Sequence, residues 1–255
     1  MQYHIHLSAG DIGKYVFLPG DPGRVETIAR FLDEPRHVAT NREYCTWEGL
    51  LEGERVAVTS TGIGGPSAAI ALQELARVGC HTFVRLGTCG ALQPGLGRGD
   101  LILASGSVRG GATALAYVPA EFPAVADPDV FAALRAGTRK LGWPLHTGII
   151  HCKDAFFLEE PATLPARAQA QALWETWQRA RVVASEMESD TLFVIAYTLG
   201  LRAGTLLLAL GGLADGEVGE LTSPPQELKD RLIRAGIEGM RELILQDRRA
   251  AAAEG

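Results

Sequence analysis

The chain is poor in several things, and each shortage narrows what it can be. Only four of its 255 residues are cysteine, and Cys45, Cys80, Cys89 and Cys152 are scattered without a CxxC pair. That spacing argues against a disulfide frame or a thiolate zinc site, and leaves reduced thiols packed as small apolar side chains. A basic surplus is missing as well. The net charge is −6, the wrong sign for a nucleic-acid binder, which carries a basic face. No apolar run reaches bilayer length, and AGTLLLALGGLA at 203–214 is both too short and too glycine-rich to span one. The start, MQYHIHLSAGD, lacks the basic and apolar segments of a secretion signal. We therefore expect a cytoplasmic protein whose partners are small molecules, with no nucleic acid and no membrane.

What is present has the rhythm of an α/β fold. Strands are expected in KYVFLPG (14–20), RVAVTST (55–61), TFVRLG (82–87), DLILAS (100–105), TGIIHC (147–152) and GTLLLAL (204–210). Helical patterns fall between them, in RVETIARFL (24–32), PSAAIALQELARVG (66–79), DVFAALRAGTRKLG (129–142), ALWETWQRA (172–180) and the apolar TLFVIAYTLG (191–200). Pro66 opens and Gly79 closes the second of these, the usual asymmetry of helix starts and stops. A last helix is expected from about Pro225 to Gln246. The rhythm gives a single domain with a mixed or parallel β-sheet covered by helices. The domain spans 1–246, and 247–255 is a frayed tail unless its alanines extend the helix.

Four short motifs carry candidate chemistry. STGIGGPS (60–67) sits between a strand and a helix, but a dinucleotide fingerprint fails there. Its third glycine would be Ser67, and no acid follows about twenty residues on, where the chain reads FVRLG. A glycine turn that admits a ligand or a neighbouring subunit stays open beside plain turn geometry. PGDPGR (19–24) turns from strand to helix with Arg24 in the first helical turn, a place suited to an oxyanion, or simply a turn with a solvated arginine. In RLGTCG (85–90), Arg85 closes an apolar run and needs an anionic partner or ligand. Together with Arg42, these arginines offer a phosphate cradle. In SEMESD (185–190), a glutamate can accept both hydroxyls of a vicinal diol while Met187 packs on a sugar face. Equally, Glu186 and Glu188 can be helix-start charges.

These motifs, with NREY at 41–44, occur in the order and approximate spacing of the hexameric nucleoside phosphorylases, and the chain resembles bacterial uridine phosphorylases in particular. The resemblance runs from about His4 to the 230s. It implies that phosphate attacks C1′ of a ribonucleoside to give ribose 1-phosphate and free base. The phosphate site it implies is Gly20, Arg24, Arg85 and Thr88, with Arg42 from the neighbouring subunit. The ribose site is Thr88, Met187 and Glu188, with His4, or else His6, reaching across the same interface. Arg85 and Glu188 would carry the catalysis. For the base it implies Cys89, Gly90, Phe156 as a stacking face, Glu160, and Glu186 in a supporting role. No cofactor beyond phosphate is required, and a structural potassium is implied on Glu43, the Ile63 backbone and Ser67. A single-domain three-layer sandwich, with a central mixed β-sheet that is partly barrel-like and flanked by helices, and a homodimer unit assembled into a homohexamer follow from the same likeness.

The base end departs from the pattern. Where uridine phosphorylases carry a glutamine and an arginine two residues apart, KDAFFLEEPAT has Glu160 and Ala162. ALGGLADGE (209–217) holds neither the purine-protonating aspartate near Gly211 or Gly212 nor the arginine of the uridine enzymes near Leu213. Asp215 and Glu217 are within reach only of a remodelled loop, so the leaving-group donor is unassigned. The open alternatives are a purine nucleoside phosphorylase, a nucleoside hydrolase on the same fold, and a nucleoside-binding homologue without turnover. The three arginines weigh against the hydrolase, since water needs no such cradle. A calcium-dependent nucleoside hydrolase is disfavoured too, because no aspartates cluster near the N-terminus.

Overall fold

In a computed structural model, which describes residues 1–159, 164–212 and 223–254, every expected strand belongs to one ten-stranded sheet. In chain order the strands are β1 (Tyr15–Leu18), β2 (Asp33–Asn41), β3 (Tyr44–Leu51), β4 (Glu54–Thr59), β5 (Thr82–Ala91), β6 (Leu101–Gly110), β7 (Ala124–Val125), β8 (Leu145–Lys153), β9 (Ala184–Glu186) and β10 (Arg202–Gly212). The helices are α1 (Val25–Ala29), α2 (Gly65–Arg77), α3 (Ala112–Tyr117), α4 (Pro128–Lys140), α5 (Arg167–Arg179), α6 (Ser189–Thr198) and α7 (Gln226–Glu254).

The sheet runs β10-β6-β8-β9-β5-β1-β4-β3-β2, and β10 also pairs with β5, which closes five strands into a barrel. Strand residues alternate between two cores, as a pleat requires. On β10, Leu206 and Leu208 enter one core while Leu207 and Ala209 enter the other. Helices α2, α3 and α6 pack together on one side; α1, α4 and α7 cover the other. Helices α4 and α7 cross at glycines: a Cβ on Gly137 would lie 2.4 Å from the Gly239 nitrogen, so any larger residue there would push the helices apart.

Several local results differ from the sequence expectation. The β2–β3 hairpin was not foreseen, because β2 is mostly exposed and polar and lacks an alternating apolar face. The tail expected to fray is helical through Glu254, since alanine is the strongest helix former and carries α7 past Gln246. Helix α5 begins at Arg167, earlier than ALWETWQRA. Among the described residues no helix is long and apolar enough to cross a membrane.

Candidate active site

The C-terminal end of β5, the turn after β1 and the junction of β9 with α6 border one cavity of about 610 Å³. Arg85 stands at its centre, only 4% exposed. A guanidinium so deeply buried has to be neutralised, and two carboxylates do it. Its Nε donates to Glu186 Oε2 at 2.9 Å, and its Nη2 donates to Glu188. Its Nη1 is buried with no hydrogen-bond partner among the described residues. That nitrogen faces the PGDPGR turn: a Cβ added to Gly20 would lie 4.0 Å from it.

The same turn supplies Arg24. Asp21 caps it by accepting from the Gly23 N–H at 2.8 Å, which sets the following arginine in the first helical turn. Burial, with Arg85 close by, lowers the Arg24 pKa against the opposing effect of Asp21. Two guanidiniums that crowd one space, one with an unpartnered N–H, make a site for an anion.

The glutamates are not equivalent. Glu186 is the helix-start group, accepting from the N–H groups of Glu188 at 3.0 Å and Ser189 at 2.9 Å. Burial opposes its charge, yet Arg85 and these donors hold its carboxyl below the usual range. Glu188 accepts from the Gly64 N–H at 2.6 Å as well as from Arg85. Burial, and the Glu186 charge beside it, hold its pKa above the usual carboxylate range. Glu188 thus spans the arginine and the STGIGGPS turn, and each carboxylate oxygen keeps a further lone pair for a hydroxyl. Gly62 in that turn has φ +70°, and a Cβ there would meet Ser67 Oγ at 2.6 Å. Only glycine fits.

Residues 14–239 match the family model described as the phosphorylase superfamily. The chain belongs to that superfamily. It is 41% identical to a uridine phosphorylase of Treponema pallidum (strain Nichols) over 96% of this chain and 95% of that one. It is 44% identical to a uridine phosphorylase of Thermococcus kodakarensis over 86% of this chain and 80% of the relative. A guanosine phosphorylase of Halorubrum lacusprofundi is 38% identical over 92% and 94% of the two chains.

Of the residues singled out from sequence, Gly20, Arg24, Arg85, Thr88, Cys89, Gly90, Phe156, Glu186, Met187 and Glu188 line this cavity, as do Glu43, Ile63 and Ser67. Ser67 Oγ donates to Glu43 Oε1 at 2.9 Å, while the Ile63 side chain is 78% exposed. His4 and Arg42 do not line it among the described residues. They share a corner of the chain instead: Arg42 lies over the Tyr3 ring at 5.7 Å, Tyr3 meets the His4 ring edge-on, and Asn41 Nδ2 donates to the His4 carbonyl at 2.7 Å. Glu74 holds His4 through Nδ1 at 2.7 Å. His6 is exposed and in a left-handed conformation, φ 53°. Glu160, Leu213, Asp215 and Glu217 lie outside the described residues.

The cavity also contains residues that sequence reasoning passed over. Lys153, at the end of β8, is 2% exposed and lines the wall with Ser185. Nothing in the run IIHCK marks its closing lysine as buried; the fold shows it, with Nζ donating to Ser185 Oγ of β9 at 3.1 Å.

Proposed function

We propose that the protein is a phosphate-dependent nucleoside phosphorylase, cleaving a ribonucleoside to free base and ribose 1-phosphate. One observation carries this reading: two guanidiniums, one with a buried N–H that has no partner among the described residues, face the same cavity as a carboxylate suited to a ribose diol. Glycosidic cleavage passes through an oxocarbenium-like state that nearby anions stabilise, here phosphate and Glu188. Arg24 and Arg85 contribute chiefly by holding phosphate beneath C1′. The relatives at 36–44% identity are mostly named uridine phosphorylases, which supports uridine as the substrate. The guanosine phosphorylase at 38% is the observation that favours a purine nucleoside as the second reading.

The shared corner of His4 and Arg42 supports a homodimer in which each chain completes its neighbour's ribose and phosphate sites, within a homohexamer. The hard oxygens of Glu43, Ser67 and the Ile63 carbonyl, with one carboxylate among them, suit a monovalent cation such as potassium. Action in the cytoplasm fits a substrate pair of small metabolites. The test is to incubate the pure protein with uridine, thymidine, inosine, guanosine and adenosine, with and without phosphate, and follow free base. Base release from at least one nucleoside that depends on phosphate is expected. No release from any overturns the proposal, and phosphate-independent release makes it a hydrolase.

A further inference from the structure

The motifs that read a base in this superfamily are altered here, yet a nucleoside base leaves as an anion and its charge has to be met. Lys153 is the cation placed to meet it. Its ammonium is buried in the cavity wall, lies 6.0 Å from the centre of the Phe156 ring and donates to Ser185 Oγ at 3.1 Å. Ser185 in turn pairs across the sheet with Gly90 of β5, so Lys153, Phe156 and Gly90 stand around one part of the cavity. The positive charge of Lys153 also acts on Glu188, which places the ammonium within electrostatic reach of the group suited to the sugar.

The orientation of that ammonium is fixed from behind. An ammonium only donates, so Ser185 Oγ accepts from Lys153 and its own proton is left to donate onward. The group next in line is His151 Nδ1, 3.3 Å from Ser185 Oγ. The His151 ring is 2% exposed, with Trp174 and Trp177 at ring-centre distances of 5.3 and 5.5 Å. Burial, the Lys153 charge adding to it, lowers its pKa to about 4. His151 is therefore neutral at pH 7, and with its proton on Nε2 its Nδ1 accepts from Ser185 Oγ. The chain Lys153 to Ser185 to His151 runs one way and holds the ammonium in the wall.

We propose that Lys153 stabilises the departing base, donating a hydrogen bond to a carbonyl oxygen on which its negative charge collects. This rests on the phosphorolysis proposed above. A hydrogenphosphate oxygen bonds to C1′ as the C1′–N bond breaks, and the electron pair of that bond passes to the base. The base anion is held by Lys153, and the proton given up by hydrogenphosphate reaches it through water. Because the lysine can only donate, the site selects bases with an oxo group, 2,4-dioxopyrimidines or 6-oxopurines, and disfavours a 6-aminopurine edge. A cation aimed at charge that appears only in the transition state acts on turnover more than on binding.

The experiment compares wild type and Lys153→Met on paired nucleosides that differ in how readily the base leaves. The pair is uridine and 5-fluorouridine if the enzyme takes pyrimidines. It is inosine and 7-methylinosine, whose base departs uncharged, if it takes purines. A loss in kcat of about 100-fold is expected for the plain member and under about fivefold for the activated one. Lys153→Arg, which keeps charge and donors, is expected to recover part of the loss. An equal loss on both members, or no loss, overturns the assignment while leaving phosphorolysis intact. A wild type that releases no base from either overturns the proposed function itself. If Lys153→Met does not fold, Ser185→Ala, which keeps the ammonium but removes its anchor, is expected to show the same dependence on the leaving base, and an equal loss on both members again refutes it.

Discussion

A guanidinium that is 4% exposed has to be neutralised, and Arg85 is neutralised twice. The cost of that arrangement appears when the cation is removed. In Arg85→Ala, Glu186 and Glu188 remain buried and face each other without their common partner, so a stability loss of about 3–5 kcal/mol is expected, read as a fall in Tm, together with loss of phosphate-dependent turnover. Arg24→Ala is the milder case. Arg24 is only half-buried and its closest acid, Asp21, lies 3.8 Å away. Its loss should leave stability without phosphate within about 0.5 kcal/mol of wild type but abolish most of the Tm rise that phosphate gives. At this scale the sequence was partly legible. Arg85 announced itself because an arginine in an apolar run demands a partner. From the residues alone Glu186 and Glu188 do not separate, since both readings of SEMESD use the same charge; the family likeness set Glu188 on the ribose and Glu186 in support, and the hydrogen bonds to the α6 start add that Glu186 is the helix-start group.

At the scale of elements, one buried ring helps join α5 to the barrel. His151 on β8 lies between Trp174 and Trp177 of α5, and Trp174 Nε1 donates back to the Leu158 carbonyl in the turn that carries Phe156. Folding buries His151 neutral, with a pKa of about 4 against about 6.5 unfolded. Between those values the unfolded chain binds more protons than the folded one, so stability is fully present above about pH 6.5 and is lost as the pH falls towards 4. The loss amounts to at most about 3 kcal/mol. Melting curves at pH 8 and 5 check it: His151→Phe is expected to flatten the difference, and an unchanged pH slope contradicts it. Strands such as β5 and β10 were legible because buried strands are apolar throughout. β2 was not, because an exposed strand has no face to declare, and β9, three residues long, carries too short a pattern for any period to show.

For the whole molecule, α7 acts as a strap. Its Asp247 accepts from the Tyr15 hydroxyl at 2.7 Å and from Arg202, which donates to both carboxylate oxygens, so the end of the helix ties β1 to β10. A chain ended at Gln246, the domain edge expected from sequence, loses this tie. It should be destabilised by about 2 kcal/mol, and Asp247→Asn by part of that, both measurable in denaturant. The three layers were readable from the alternation of apolar runs, but the barrel was foreseen only through family likeness: the pairing of β5 with β10 joins residues over a hundred positions apart, which no local pattern encodes. One residue ties these scales together. Arg42 sits with φ at 55°, a backbone shape that costs a side-chain-bearing residue about 1 kcal/mol and glycine almost nothing. A laboratory selection that rewards heat resistance alone would drift to glycine at position 42. With Arg42 completing a neighbour's phosphate site, as proposed, one that rewards turnover would keep the strained arginine, so the two regimes should part company at this turn.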